Sequence, residues 1–164
     1  MSNVIESLLF SWEKNLGYGQ RLVADLTDEQ MVVQPGPGTG VNHPAWVLSH
    51  LNAYHPVIEH VIKGELFDDP VNHRFGMKSK PEADRSIYAS KDELVADFVS
   101  GHERVEQALC GADDSLWGQP LKLERWLKFM PTAGIALPYL MLVHENTHFG
   151  QLSAWRRVQG LASV

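Results

Sequence analysis

Two histidines near the end of the chain have the spacing of metal ligands on a helix. They are His144 and His148, in the stretch His144-Glu145-Asn146-Thr147-His148. Residues four apart on an α-helix lie about 40° apart around the axis and about one turn along it, so both imidazoles can reach one ion. The stretch also matches H-E-x-x-H, in which two histidines bind zinc and the glutamate is the general base of a metallopeptidase. The spacing predicts a metal centre and leaves its reaction open.

The position of the third metal ligand in the sequence distinguishes a peptidase of this type from other metal proteins. Residues 149–164, which follow His148, contain no His, Asp, Glu or Cys. The extended form H-E-x-x-H-x-x-G-x-x-H also fails, because Gly150 comes one residue early and Ala154 stands at the position of the last histidine. The third ligand must therefore come from an earlier segment, which disfavours the peptidase.

The segment after Pro44 offers four histidines as third ligand: His43, His50, His55 and His60. Its inner face is defined by apolar residues at helical spacing, namely Trp46, Val47, Leu51, Val57, Ile58 and Val61. His50 lies within this stripe and is the first choice, with His43 second. His55 and His60 are expected to point towards solvent or the flank of the bundle.

Burial of an imidazole without a polar partner is costly, and three imidazoles on one ion solve that problem together. The predicted metal ligands are therefore His50, His144 and His148. Three nitrogen ligands leave the remaining positions of an ion open, which is the catalytic arrangement. Such an ion lowers the pKa of water or holds a thiol deprotonated, so both hydrolysis and thiol transfer stay open.

The elements that must position these residues are helices. Apolar residues recur every three to four positions nearly throughout, and no stretch alternates with a period of two. We expect four long helices: Ser2 to about Leu26, Pro44 to about Lys63, Lys91 to about Leu109, and Thr132 or Ile135 to just before Gly160. Asn42 or His43 caps the second helix, and Ser90 with Glu93 forms a capping box for the third. The prediction is an all-α chain with one domain over residues 1–164, a four-helix bundle whose sites form between facing helices.

Composition narrows the function further. The formal charge is −6, from 14 Lys and Arg against 20 Asp and Glu, which argues against binding nucleic acid. Cys110 is the only cysteine, so no internal disulfide can form. The longest apolar run, 135–143, contains Pro138 and is far too short to span a membrane. The first residues lack a basic stretch, so no secretion signal is expected. We expect a cytoplasmic protein with no nucleic-acid or membrane partner.

Three motifs together resemble the DinB/YfiT-like superfamily of damage-inducible helical bundles. The segment 42–51, Asn-His-Pro-Ala-Trp-Val-Leu-Ser-His-Leu, is similar to that family's second-helix motif. Residues from His144 to Gln151-Leu152 are similar to its H-x-x-x-H-x-G-Q-L signature, and Arg156 and Gly160 follow as in the family. The length and helix plan agree, so the resemblance covers the whole chain.

The resemblance implies an up-down-down-up four-helix bundle with a long crossover between helices 2 and 3. It carries the family's metal triad onto His50, His144 and His148, with a divalent ion, zinc or nickel first and iron, copper or manganese as further candidates. Characterised relatives include transferases and isomerases that use bacillithiol, mycothiol or glutathione. The implied partner is a small-molecule substrate with such a low-molecular-weight thiol, and the resemblance allows a homodimer.

The leading hypothesis is a metal-dependent, thiol-using transferase or a hydrolase acting on a small molecule. The alternatives are a metal-binding or ligand-sensing bundle without catalysis and, third, a zincin-type peptidase. Glu145 is the candidate catalytic residue, although a surface or interhelical carboxylate is the simpler interpretation. Gln151 is a candidate to orient a ligand, and Tyr54 to line the pocket. Trp12, on the first helix, is offered as a contact in a dimer.

Overall fold

Helices make up the regular structure of this chain, whose computed structural model describes residues 3–36 and 40–164. In chain order they are α1 (Asn3–Val23), α2 (Pro44–Lys63), α3 (Lys91–Cys110), the short α4 (Glu124–Leu127), α5 (Ala133–Pro138), a π-helical segment (Tyr139–His144) and α6 (Glu145–Val158). Within those ranges no β-strand occurs, and one isolated bridge joins Pro120 to Thr132. The predicted all-α class is confirmed.

The predicted helix ends agree closely with the structure where a capping residue marks them. His43 caps α2 by accepting a hydrogen bond at Nδ1 from the Trp46 amide, 3.2 Å away, and Gly64 ends α2 in the left-handed conformation with φ 64°. Ser90 and Glu93 form the predicted capping box of α3. The first helix ends at Val23, three residues before the predicted Leu26, and its predicted start, Ser2, lies outside the described residues.

Helix α2 is the central helix of the fold. It packs against α3, α5 and α6, while α1 packs against α3 and α6. Every residue from Pro44 to Leu51 is buried, as are six further residues towards its C-terminal end. Such a helix has no single inner face, because neighbours cover it on several sides.

The approach of α3 to α2 depends on Gly101. A Cβ built at Gly101 would lie 1.9 Å from Nδ1 of His55, so no side chain fits there. Trp12 of α1 also contacts this region, is 2% exposed and donates its indole N–H to the backbone oxygen of His102. The suggestion that Trp12 forms a dimer contact is wrong, because this side chain belongs to the core.

The last long helix changes its winding directly after Pro138. Proline has no backbone N–H to donate, and its ring crowds the carbonyl four residues earlier. The chain continues as a π-helix from Tyr139 to His144 and returns to α-helix at Glu145. Short π-helical insertions are frequent at functional sites, and this one ends on a predicted ligand.

Residues 65–89 form the predicted long connection between α2 and α3. It contains two single turns of 3-10 helix, Pro70–Asn72 and Arg85–Ile87. Asp28 anchors its end by accepting hydrogen bonds from Nη2 of Arg85 at 2.6 Å and from the Lys91 amide at 2.7 Å. Among the described residues, no helix is long and apolar enough to cross a membrane.

Candidate metal centre

The three predicted histidine ligands converge on one point between α2 and the last helix. Ring centroids of His50, His144 and His148 lie 4.6–5.0 Å apart, and their facing ligand atoms all lie within 4.8 Å of one another. Nε2 of His50 and Nε2 of His144 are 2.9 Å apart. Nitrogens around one tetrahedral zinc ion lie roughly 3.3 Å apart, because each bond is about 2.0–2.1 Å. We call these residues the open cluster; they form a group that could hold a metal ion.

The connection between α2 and α3 fixes the ring of His50. The backbone oxygen of Phe75 lies 2.6 Å from its Nδ1, and a carbonyl oxygen can only accept. Nδ1 of His50 therefore carries the proton, and Nε2 keeps the lone pair that faces the other two rings. Trp46 stacks on the same ring with centroids 4.8 Å apart, which holds its plane.

The side chain of Gln151 fixes the ring of His148. Its Oε1 lies 3.1 Å from Nδ1 of His148 and also accepts a hydrogen bond of 2.9 Å from the side-chain amide of Asn42. Nδ1 of His148 is the donor, so Nε2 is free to bind an ion. A partner of this kind on the second nitrogen is the usual support of a metal-bound histidine. The donor set thus fits a divalent ion.

Burial keeps the open cluster uncharged. It lowers the pKa of His50 to about 4 and that of His144 to about 3, and each is lowered further by a neighbouring imidazole of the cluster. Burial also lowers the pKa of His148. All three rings are therefore neutral at pH 7, the form in which histidine binds metals.

A cavity of about 660 Å³ lies beside the open cluster. Its wall is mainly aromatic and aliphatic, and it includes the predicted Tyr54 together with Trp46, Met77, Trp126, Phe129, Met130, Ile135, Tyr139 and Leu140. Arg125 also lines it and is held by two hydrogen bonds to Asp69. A larger groove of about 830 Å³ over α2 and α3 includes none of the three histidines. The smaller cavity is therefore the one that could receive a substrate.

Glu145 lies on another side of the helix, among buried residues. It is 2% exposed, and its Oε1 lies 2.8 Å from Nε2 of His102, while Oε2 accepts a hydrogen bond of 2.8 Å from Nδ2 of Asn15. It is not among the residues that line the cavity. Burial raises the pKa of Glu145 well above its ordinary value. Its catalytic role stays a prediction.

A second group that could hold a metal ion consists of His55, His102 and Glu145, here called the sealed cluster. The expectation that His55 points to solvent or the flank is wrong, since His55 is 2% exposed and faces α3. His102 is not among the ligands predicted from the sequence. Its position, four after Phe98 and three before Val105, puts it in the same buried stripe and was the available signal.

The other site predictions have mixed outcomes. His43, the second choice as third ligand, caps α2 through Nδ1, and its Nε2 lies 2.8 Å from the backbone oxygen of Glu82. His60 is partly exposed, near Glu65. Gln151 contacts His148 as expected of a residue that orients a ligand.

The fold and the histidine clusters agree with what comparison of the sequence shows. The family model of the DinB superfamily matches residues 12–152, which is most of the chain, and the protein belongs to that superfamily. No curated protein and no solved structure matches the chain. The chain is thus a member of the DinB superfamily with an all-helical fold and, among its described residues, two groups of histidine and glutamate that could bind a metal.

Proposed function

We infer that the protein is a divalent-metal-dependent enzyme that acts on a small molecule, with His50, His144 and His148 as ligands. The observation that carries this inference is the fixed orientation of His50 and His148 beside the cavity. A zinc or nickel ion, when bound, would supply Lewis acidity that lowers the pKa of a coordinating thiol or water. In the same proposal the fold is the up-down-down-up bundle of one domain, with the crossover at residues 65–89.

The lining of the cavity favours thiol transfer over hydrolysis. No Asp or Glu occurs among the described residues that line it. Metal-dependent hydrolysis is commonly assisted by a carboxylate that accepts a proton from the attacking water, whereas a thiol is already acidic enough to lose its proton near neutral pH beside a cation. The apolar wall would hold an electrophilic substrate and exclude water, and Arg125 offers a positive charge to an anionic group. We propose a thiol-dependent transferase, with a hydrolase as the alternative.

Metal content tests the ligands. The His148→Ala variant should lose an ion that a chelator removes from the folded wild-type protein, whereas His60→Ala, which changes a histidine of α2 outside the cluster, should keep it. Inductively coupled plasma mass spectrometry before and after chelator treatment measures both. Retention of the exchangeable ion by the His148→Ala protein would overturn the assignment.

A turnover screen tests the reaction. The zinc- and nickel-loaded proteins are incubated with glutathione, bacillithiol or mycothiol and a set of electrophiles, and separately with esters and amides without thiol. Turnover that requires the thiol and disappears in His148→Ala supports the transferase. Turnover without thiol supports the hydrolase. A fully loaded protein that turns over nothing would favour the metal-binding or ligand-sensing bundle.

Glu145→Gln tests the predicted base. If Glu145 acts as the base, this variant keeps the exchangeable ion and loses kcat. If kcat is unchanged with the exchangeable ion in place, Glu145 has no such role, and the peptidase hypothesis loses its base as well. A homodimer, also part of the proposal, is tested by light scattering coupled to size-exclusion chromatography.

A further inference from the structure

The sealed cluster joins three helices in the core through side chains that could bind a metal. His55 comes from α2, His102 from α3 and Glu145 from α6, and their facing ligand atoms all lie within 4.8 Å of one another. Each residue is at most 2% exposed. Two histidines and one carboxylate are a ligand set found in zinc and non-haem iron proteins. None of the three belongs to the open cluster.

Several ring nitrogens of the sealed cluster have no hydrogen-bond partner among the described residues. Within residues 3–36 and 40–164, neither ring nitrogen of His55 has a hydrogen-bond partner, and Nδ1 of His102 has none. An unsatisfied polar atom in a protein interior costs about 1–3 kcal/mol, so buried groups of this kind are uncommon. Unsatisfied nitrogens on two adjacent buried rings indicate that the cluster contains a partner besides these side chains, and an ion can accept a lone pair from one nitrogen of each ring.

The carboxylate of Glu145 is positioned as a ligand. Asn15 holds its Oε2, and Oε1 is left to face His102 at 2.8 Å. The plane of His102 is fixed by Trp12, which stacks on it with centroids 3.7 Å apart and planes 16° apart. A carboxylate in so apolar a setting is stable as an anion only when a positive charge lies beside it. No Lys or Arg makes an ion pair with Glu145 among the described residues.

We propose that His55, His102 and Glu145 bind a second divalent metal ion, of the zinc class, that is separate from the ion of the open cluster. The ion receives one lone pair from each side chain and neutralises the buried carboxylate. Because the cluster is closed to solvent, this ion enters while the chain folds and stabilises the packing of α2, α3 and α6. Glu145 then serves the core rather than the cavity beside His144.

Zinc stoichiometry of the full-length protein tests the proposal. The chain is unfolded in denaturant with a chelator, refolded with excess zinc, desalted and analysed for zinc by mass spectrometry. Treatment of the folded protein with chelator then removes exchangeable zinc. We expect a second equivalent that is released only on unfolding. Anomalous diffraction at the zinc edge locates it between His55 and His102.

Variants separate the two sites. His102→Gln and Glu145→Gln should each lose the retained equivalent and keep the exchangeable one, and His148→Ala should show the reverse. Circular dichroism verifies the fold of each. If wild-type protein refolded with zinc retains none after chelator treatment, the proposal is overturned whether or not the variants fold. That result leaves the open cluster untouched, because its ion is measured in the exchangeable fraction.

Discussion

The open and the sealed clusters lie side by side in one fold and differ in what surrounds them. In the open cluster, polar partners fix two of the rings, namely the Phe75 oxygen on His50 and Gln151 on His148, and a cavity lies beside them. In the sealed cluster, Asn15 holds the carboxylate of Glu145, but aromatic rings rather than polar groups surround the two histidines. The first arrangement suits a site that exchanges ligands, and the second suits one that stabilises the core.

Helix α2 and the last helix contribute to both clusters, and α3 adds His102 to the sealed cluster. His50 and His55 on α2 are five residues apart, about 140° around the axis, and so face opposite neighbours. His144 and Glu145 are consecutive and about 100° apart, so each belongs to a different cluster. The H-E-x-x-H stretch therefore contributes to both clusters. Its two histidines belong to the open cluster and its glutamate belongs to the sealed cluster.

The largest expected effect is on the sealed cluster, from Gly101→Ala. The new methyl group would meet the ring of His55, which is buried against Trp12, Phe98 and His102. We expect a loss of about 2–3 kcal/mol in the free energy of unfolding, typical of overpacking a core. Chemical denaturation measures it. A change of only a few tenths would show that His55 is not held rigidly.

The open cluster responds to the loss of a polar partner. Gln151→Ala removes the hydrogen-bond partner of Nδ1 of His148 and leaves the three proposed ligands unchanged. Affinity for the exchangeable zinc ion should fall roughly 10- to 100-fold, the usual cost of losing such a partner. Competition with a chromophoric chelator measures the affinity, and Gln159→Ala, near the end of the same helix, is the control. Equal affinities for the two variants would contradict the role given to Gln151.

Acid should weaken the helix that carries His50, through His43. Burial lowers the pKa of His43 below its ordinary value, so the unfolded chain binds a proton that the folded one resists. The contribution of His43 to stability is therefore present above about pH 6.5, the unfolded pKa, and is lost as the pH falls towards the folded pKa. Protonation also removes the cap at the Trp46 amide, worth about 1 kcal/mol.

His43→Asn isolates this effect, because asparagine caps a helix without titrating. Between pH 7 and pH 5 the wild-type free energy of unfolding should fall by about 1 kcal/mol more than that of the variant. Urea denaturation at each pH measures the difference. Parallel pH profiles would show that the ring of His43 does not titrate in this range.

The smallest effect is a gain, from Gly150→Ala. Gly150 is exposed within α6, and a Cβ there meets nothing within 4 Å. Alanine should stabilise the fold by about 0.5–1 kcal/mol through helix propensity alone. The same substitution thus has opposite signs at Gly101 and Gly150. Destabilisation at Gly150 would indicate that another molecule covers this face of α6.

The proximity of His50, His144 and His148 could be predicted from the sequence because most of the signal is local, while their role as metal ligands stays a prediction. Spacing gives His144 and His148, and the apolar stripe around Trp46 selects His50. The helix ends were predictable for the same reason, because the capping residues His43, Ser90 and Gly64 form their hydrogen bonds with backbone groups only a few positions away. The convergence of three histidines followed from those elements and the resemblance to the family.

The sealed cluster could not be predicted in this way. The prediction that His55 faces solvent or the flank of the bundle depends on a single inner face for α2. The packing of α3 at Gly101 buries this side of α2 as well. The π-helical segment was not predicted either. A proline in an apolar run indicates that one backbone N–H is missing, but it does not determine how the helix winds after it. The burial of His55 and the π-helical winding depend on contacts between residues that are distant in the sequence. The periodicity of apolar residues along one helix gives no information about such contacts.

The winding between Tyr139 and His144 decides which side chains of the last helix face His50 in the open cluster. A π-helical segment takes up about one residue more than the same length of α-helix, and every later side chain is turned by about 100°. In a uniform α-helix started from Ala133, the directions now held by His144 and His148 would fall to Val143 and Thr147. Neither of those side chains is a usual zinc ligand. The composition of the site thus depends on one added residue, placed next to a proline.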